Sequence, residues 1–190
     1  MKIFFDTEFT GLHKNTSLIS LGMVDENGRS FYAEFTDYDK SQVNEWLNDN
    51  VFRHCKYINN SEADQYRELR GFKDGNMIVV GNHGFIEESL RSWLSEYDNV
   101  QLVSDVCHYD MVLFIDIFGT AFDLPSNVNP SCHDINQDIA RYYNIDEKEA
   151  FDMSREEIAG DVPGYKHNAL YDAMVICEIY SKIYLAEIWH

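Results

Sequence analysis

Apolar residues come in short runs near the N-terminus and at helical spacing farther along the chain. K-I-F-F-D at 2–6 and L-I-S-L-G-M-V at 18–24 read as strands. R-S-F-Y-A-E-F at 29–35 alternates at the two-residue period of a half-buried strand, and the turn residues Asp25-Glu26-Asn27-Gly28 before it predict a hairpin. The chain therefore opens as a three-strand antiparallel meander. Over 39–50, Val43, Trp46 and Leu47 share one side of a predicted helix. Residues 51–76 are polar and weakly periodic, with room for a helix or two. They carry Arg53, Lys56, Arg67, Arg70 and Lys73.

The short run M-I-V-V at 77–80 follows. Ile86, Leu90, Trp93 and Leu94 then stand at i, i+4, i+7, i+8 and predict a helix over 85–97. V-Q-L-V-S at 100–104 reads as a strand leading into a helix from Tyr109 to Phe118. Pro125 and Pro130 bracket a loop, and a further helix begins near Asp134. Ser154-Arg155-Glu156-Glu157 has the form of a capping box. A last helix over 168–187 has Ala169, Ala173, Ile176, Cys177, Tyr180, Ile183 and Tyr184 as its core stripe. Three antiparallel strands followed by alternating helices and strands predict an α/β fold, a mixed sheet flanked by helices. That order is compatible with a ribonuclease-H-like fold.

Composition narrows the class. With 190 residues, 45% of them hydrophobic, the chain can bury a substantial core, and its length suits one domain over 1–190. Apolar stretches fall far short of the roughly 20 residues that span a membrane. Asp6 interrupts any signal-peptide core, so a cytoplasmic location is expected. The net charge of −18 removes the usual basic-patch route to nucleic acid. A polyanionic substrate would have to be held by metal ions or a few local cations. Arg67, Arg70 and Lys73, three apart, could guide a short strand or simply form a solvated helix face. His54–Cys55, Cys107–His108 and Cys132–His133 lack the two-to-four-residue spacing of zinc ligands, so reduced, partly buried thiols are expected.

Several acids stand out against this background. Asp6 and Glu8 are two apart at the end of the first strand, so both project from one face. At that distance they repel unless one is protonated or a cation lies between them. Asp110 opens an apolar helix after a strand, where helix capping is the competing role, and Asp105 is a second candidate for the same position. Asp172 lies at the edge of the last helix's apolar stripe, and burying it alone would cost several kcal/mol. His167 is five residues earlier; the two share a site only if His167 precedes the helix or opens it, and otherwise it is a surface histidine.

Taken as a set, these residues resemble the DEDDh exonuclease superfamily. F-D-T-E-F-T-G at 5–11 is similar to its first motif, and H-N-A-L-Y-D-A at 167–173 to its third, with histidine in place of the tyrosine of the sister branch. The middle motif reads S-D-V-C-H-Y-D, with Asp105 where an asparagine often stands and Asp110 following an aromatic residue. Within the superfamily the chain most resembles the small exoribonuclease family described from mycobacteria. The resemblance implies a metal-dependent 3′–5′ exoribonuclease that releases nucleoside 5′-monophosphates. It implies two Mg²⁺ or Mn²⁺ ions on Asp6, Glu8, Asp110 and Asp172, and His167 as proton acceptor. Phe9 and Thr10 would stack on and hydrogen-bond the terminal nucleotide. The expected partner is a single-stranded RNA 3′ end, with DNA as the alternative polymer and no membrane; a homodimer is a further expectation. The competing class is a non-catalytic acidic protein that mimics nucleic acid.

Overall fold

The computed structural model describes residues 1–58, 68–73 and 75–188, of which 185–188 by their backbone. β1 (Lys2–Phe9), β2 (Leu18–Asp25) and β3 (Ser30–Phe35) form the antiparallel meander. β4 (Leu69–Lys73) pairs antiparallel with β5 (Asn76–Gly81), and β5 lies parallel to β3. On the other side β6 (Gln101–Ser104) runs parallel to β1, and the two-residue β7 (His133–Asp134) runs parallel to β6. The sheet order is β4-β5-β3-β2-β1-β6-β7, the mixed α/β architecture expected from the sequence.

The helices are α1 (Glu45–Asn50), α2 (His83–Leu94), α3 (His108–Ile117), α4 (Ile135–Tyr143), α5 (Glu147–Asp152), α6 (Arg155–Ala159) and α7 (Ala169–Ile188). The period of two in β1 decides which layer each side chain joins. Ile3 and Phe5 pack with Trp93, Leu94 and Phe114 of α2 and α3. Phe4 packs on the opposite face with Ile139 of α4 and Ile176 and Ile179 of α7. Among the described residues no helix is long and apolar enough to cross a membrane.

Two expectations are corrected. The predicted helix over 39–50 is a 3-10 turn at Lys40–Gln42 followed by α1, which the Asn44 side chain caps at Leu47 N (2.9 Å). Leu47 is buried, but Trp46 is 55% exposed and does not share its apolar side. Of the stretch 51–76, where a helix or two is expected, the described residues include a 3-10 turn at Phe52–His54 and β4, and 59–67 lie outside the described residues. β4 pairs with β5, with Lys73 opposite Asn76 and Gly75 at φ +83. Asp-Gly is a strong hairpin signal, and it overrides the weak helical pattern. Arg70 and Lys73 thus stand on an edge strand; Arg67 lies outside the described residues.

α7 reaches the sheet through a glycine. A Cβ on Gly22 of β2 would stand 2.2 Å from Ala169 C and Leu170 N, inside the backbone of the first turn of α7. Gly22 is also the residue directly opposite Asp6. Gly164, at φ +145, repeats the device: its Cβ would meet the Tyr171 ring at 2.3 Å. Gly164, three residues before His167, therefore lets the Tyr171 ring pack closely on the backbone. Gly22→Ala should lower the free energy of unfolding by about 3 kcal/mol, the upper part of the overpacking range. Chemical denaturation checks this, and an unchanged midpoint would mean that α7 moves off the sheet without cost.

Candidate active site

The alternation that sends Phe4 toward α7 sends Asp6 and Glu8 the same way, at the end of β1 where the apolar layer stops. Asp172 enters from the first turn of α7. One carboxylate oxygen from each of Asp6, Glu8 and Asp172 lies within 4.8 Å of the others. Three hard oxygen donors so close together could hold a divalent cation. His167 precedes α7 in a turn, at φ +64, and its backbone N–H donates to Asp172 Oδ2 at 2.9 Å. The condition set by their five-residue spacing is met: histidine and aspartate share one site.

Asp110 stands beside this cluster in the first turn of α3. It is not the cap; that position is Cys107, whose side chain makes no capping bond. Asp110 Oδ1 accepts from Thr7 N (2.9 Å) and Thr7 Oγ1 (2.5 Å), and Oδ2 accepts from Ser104 Oγ (3.3 Å). Thr7, on the other face of β1 from Asp6 and Glu8, thereby fixes the fourth acid to the same strand. Asp105 has a different partner. Arg155 grips it through Nε (2.7 Å) and Nη2 (2.9 Å), and also donates to Ala150 O, Met153 O and Asn136 Oδ1. All five guanidinium hydrogens are used, tying the end of β6 to α4 and to the chain before α6.

The acids are poised between charge states. Burial, then Asp110, Asp172 and Glu8, push Asp6 well above the usual carboxylate range. Burial, then Asp172 and Asp110, do the same to Glu8. Burial raises Asp172 to about 7 against the opposing His167 N–H bond. It raises Asp110 to about 6 against the bonds from Thr7 and Ser104. Burial, with Lys166 and His54, holds His167 below its ordinary value, so the imidazole is neutral at pH 7.

These groups open on a cleft of about 600 Å³ lined also by Phe9, Leu12, Tyr109 and Phe151. Phe9 stacks on Tyr109 with ring centroids 5.4 Å apart. Thr10 is buried away from it, bonded to Gln42 Oε1 and accepting from Ser17 N. The cations in the lining are Arg155, with its donors already engaged, and Lys166, paired with Glu156 at 2.9 Å. Sequence reasoning missed Thr7, Arg155 and Trp46, whose ring meets His167 edge-on at 5.3 Å. The strand period alone could have found Thr7; nothing in the sequence links Arg155 to Asp105.

The arrangement is that of a ribonuclease-H-like exonuclease. The chain superimposes on the nuclease domain of 3′hExo, a DEDDh family member solved with rAMP, at a TM-score of 0.62 and 14% identity, covering 97% of this chain and 92% of that one. A 3′-exonuclease solved with a histone mRNA stem-loop gives 0.64 at 14% identity, over 96% of this chain and 62% of that longer one. Pop2p of S. pombe, solved with Mg²⁺ and Mn²⁺, gives 0.56 at 15% identity, over 96% and 82%. The 3′–5′ exoribonuclease Rv2179c of Mycobacterium tuberculosis (strain ATCC 25618 / H37Rv) is 28% identical over 137 residues, 72% of this chain and 73% of its own. Residues 1–184 match the 3′–5′ exoribonuclease Rv2179c-like domain, and the chain belongs to that family. It is a nuclease hydrolase of the 3′–5′ exoribonuclease class.

The raised carboxylates carry a stability signature. Asp172 titrates near 3.9 when unfolded and about 7 when folded, so the folded state holds the extra proton between these values. Its ionisation opposes folding from about pH 4 upward and does so fully above 7. In EDTA at pH 8, Asp172→Asn should be more stable than the parent by about 2 kcal/mol, with the difference vanishing toward pH 4. Denaturant titrations across pH check this. A variant less stable than its parent at pH 8 would show that the carboxylate is not strained.

Proposed function

We propose that Asp6, Glu8, Asp110 and Asp172 hold two divalent cations, Mg²⁺ or Mn²⁺, and that His167 takes the proton from the water that cleaves the terminal phosphodiester at a single-stranded RNA 3′ end. The observation that carries this reading is the convergence of three carboxylates within 4.8 Å, with Asp110 beside them and all four raised in pKa. Acids in that state are mutually destabilising unless a cation joins them. Their hard oxygen donors suit Mg²⁺ and Mn²⁺, the ions with which the Pop2p neighbour was solved. Bound there, such ions supply Lewis acidity for the water and for charge on the leaving oxygen.

The chain's own residues do the rest. His167 is neutral at pH 7 and can accept a proton at an imidazole nitrogen. Its backbone N–H, donated to Asp172, keeps base and ligand in one frame. Phe9, backed by Tyr109, offers a ring face on which the terminal base can stack. Thr10, tied to Gln42 and Ser17, sets the loop beside that face. The net charge of −18 and the prior engagement of Arg155 leave little cationic track for a long polyanion. Stacking and the cations at the cleaved bond would then supply most of the hold on a short strand. The four cysteines are free, as a reducing cytoplasm would keep them.

The test uses 5′-labelled RNA and DNA of one sequence, with Mg²⁺, Mn²⁺ or EDTA. Stepwise shortening from the 3′ end with release of nucleoside 5′-monophosphates is expected with either metal, and none with EDTA. Cleavage in EDTA would contradict the cation site. His167→Ala should lower the rate by roughly 10²–10⁴-fold, with Mn²⁺ binding retained and partial recovery at higher pH. A variant within about threefold of the parent from pH 6 to 9 would remove His167 from the proton transfer.

A further inference from the structure

Away from these acids, Glu34 of β3 is a thoroughly bonded polar group in the core. It is 0% exposed and bound on four sides. Oε1 accepts from the Tyr32 hydroxyl (2.8 Å) and Lys56 N (2.6 Å), and Oε2 from Tyr57 N and Ile58 N (2.8 Å each). A buried carboxylate so thoroughly bonded is fixed in place, and it orients the one group that continues outward. The Tyr32 hydroxyl donates to Glu34, and its oxygen accepts from Asn168 Nδ2 at 3.3 Å. The second Nδ2 hydrogen goes to His54 O at 3.2 Å, and Asn168 Oδ1 accepts from Tyr171 N at 3.2 Å.

Asn168 sits directly between His167 and α7. Its backbone is bonded on both sides as well, N–H to Tyr165 O and C=O from Asp172 N. The preceding His167 holds φ +64, an uncommon conformation for a residue with a side chain. We propose that Asn168 is a positioning residue for the reaction: anchored through Tyr32 to Glu34, its side-chain amide holds the turn that aims the His167 imidazole into the cleft. This rests on the reading of His167 as the proton acceptor. A helix cap alone would need only Oδ1 on Tyr171 N; the two amide hydrogens are spent on Tyr32 and His54, on the side of the turn.

The test is a double-mutant cycle in kcat on a short RNA with Mn²⁺, with Asn168→Ala and Tyr32→Phe each placed in the parent and in His167→Ala. Misaiming a reactive group by about 1 Å can cost 10²-fold. Asn168→Ala should therefore lower kcat by about 10- to 100-fold in the parent, with KM and Mn²⁺ binding within about twofold. In the His167→Ala background it should cost less than about twofold further. Tyr32→Phe keeps the ring, and hence the packing, and should give a smaller loss with the same non-additivity. Equal losses in both backgrounds, or a fall in Mn²⁺ binding, would overturn the proposal, because Asn168 would then act through something other than His167. Parental kcat for both single variants would overturn it too. A His167→Ala protein as active as the parent would instead sink the proton-acceptor reading, and the proposal with it.

Discussion

Mutually repelling acids are brought together here by the packing of β1 against α7. Asp6 and Glu8 have no choice of face once Phe4 is buried against α7, because the strand alternates. Asp172 is brought to them by a helix whose first turn rests on Gly22, the residue opposite Asp6. The apolar contacts of Phe4, Val103, Ile176 and Ile179 in that layer stabilise the approach and offset the repulsion it creates. Everything distinctive about the site follows from this compression, including raised carboxylates and a place that a cation would relieve.

Around the compressed acids, neighbouring polar groups have separate partners that keep them apart in role. Thr7 of β1 and Ser104 of β6 hold Asp110 at the sheet, and their hydrogen bonds favour its charged form while burial opposes it. Arg155 pairs with Asp105 and spends its own donors on it and on backbone and Asn136 oxygens. The cleft is thereby left acidic, with Lys166 and Glu156 paired at its mouth. In a chain of net charge −18, that arrangement concentrates attraction for polyanions at whatever cations the acids hold.

Much of this was legible in the sequence because it depends on short-range periodicity. The hairpin of β2 and β3 and the shared face of Asp6 and Glu8 follow from spacing along the chain, whereas the meeting of His167 with Asp172 depends on the turn before α7. What was not legible depends on partners distant in sequence. Asp105 and Asp110 looked interchangeable until Arg155, 50 residues on, was seen to claim one of them, and Thr7 the other. Trp46 reads as a core residue by helical spacing, but α1 is too short to bury it, and its ring meets His167 instead. β4 has a local sequence signal of its own, the turn dipeptide Asp74-Gly75 just before M-I-V-V. Gly22 looks like an ordinary weak point in a strand until the backbone of α7 is found above it.

The claim that compressed, partly protonated carboxylates form a cation site is tested most directly by counting protons on metal binding. Acids with folded pKa values of about 6 and 7 must lose protons when a divalent ion replaces them. Calorimetric titration with Mn²⁺ in buffers of differing ionisation enthalpy should show net proton release at pH 6 that diminishes as the pH rises past 7. Mn²⁺ binding with no proton release at pH 6 would contradict the account, since the acids would then have been fully ionised and unstrained before the metal arrived.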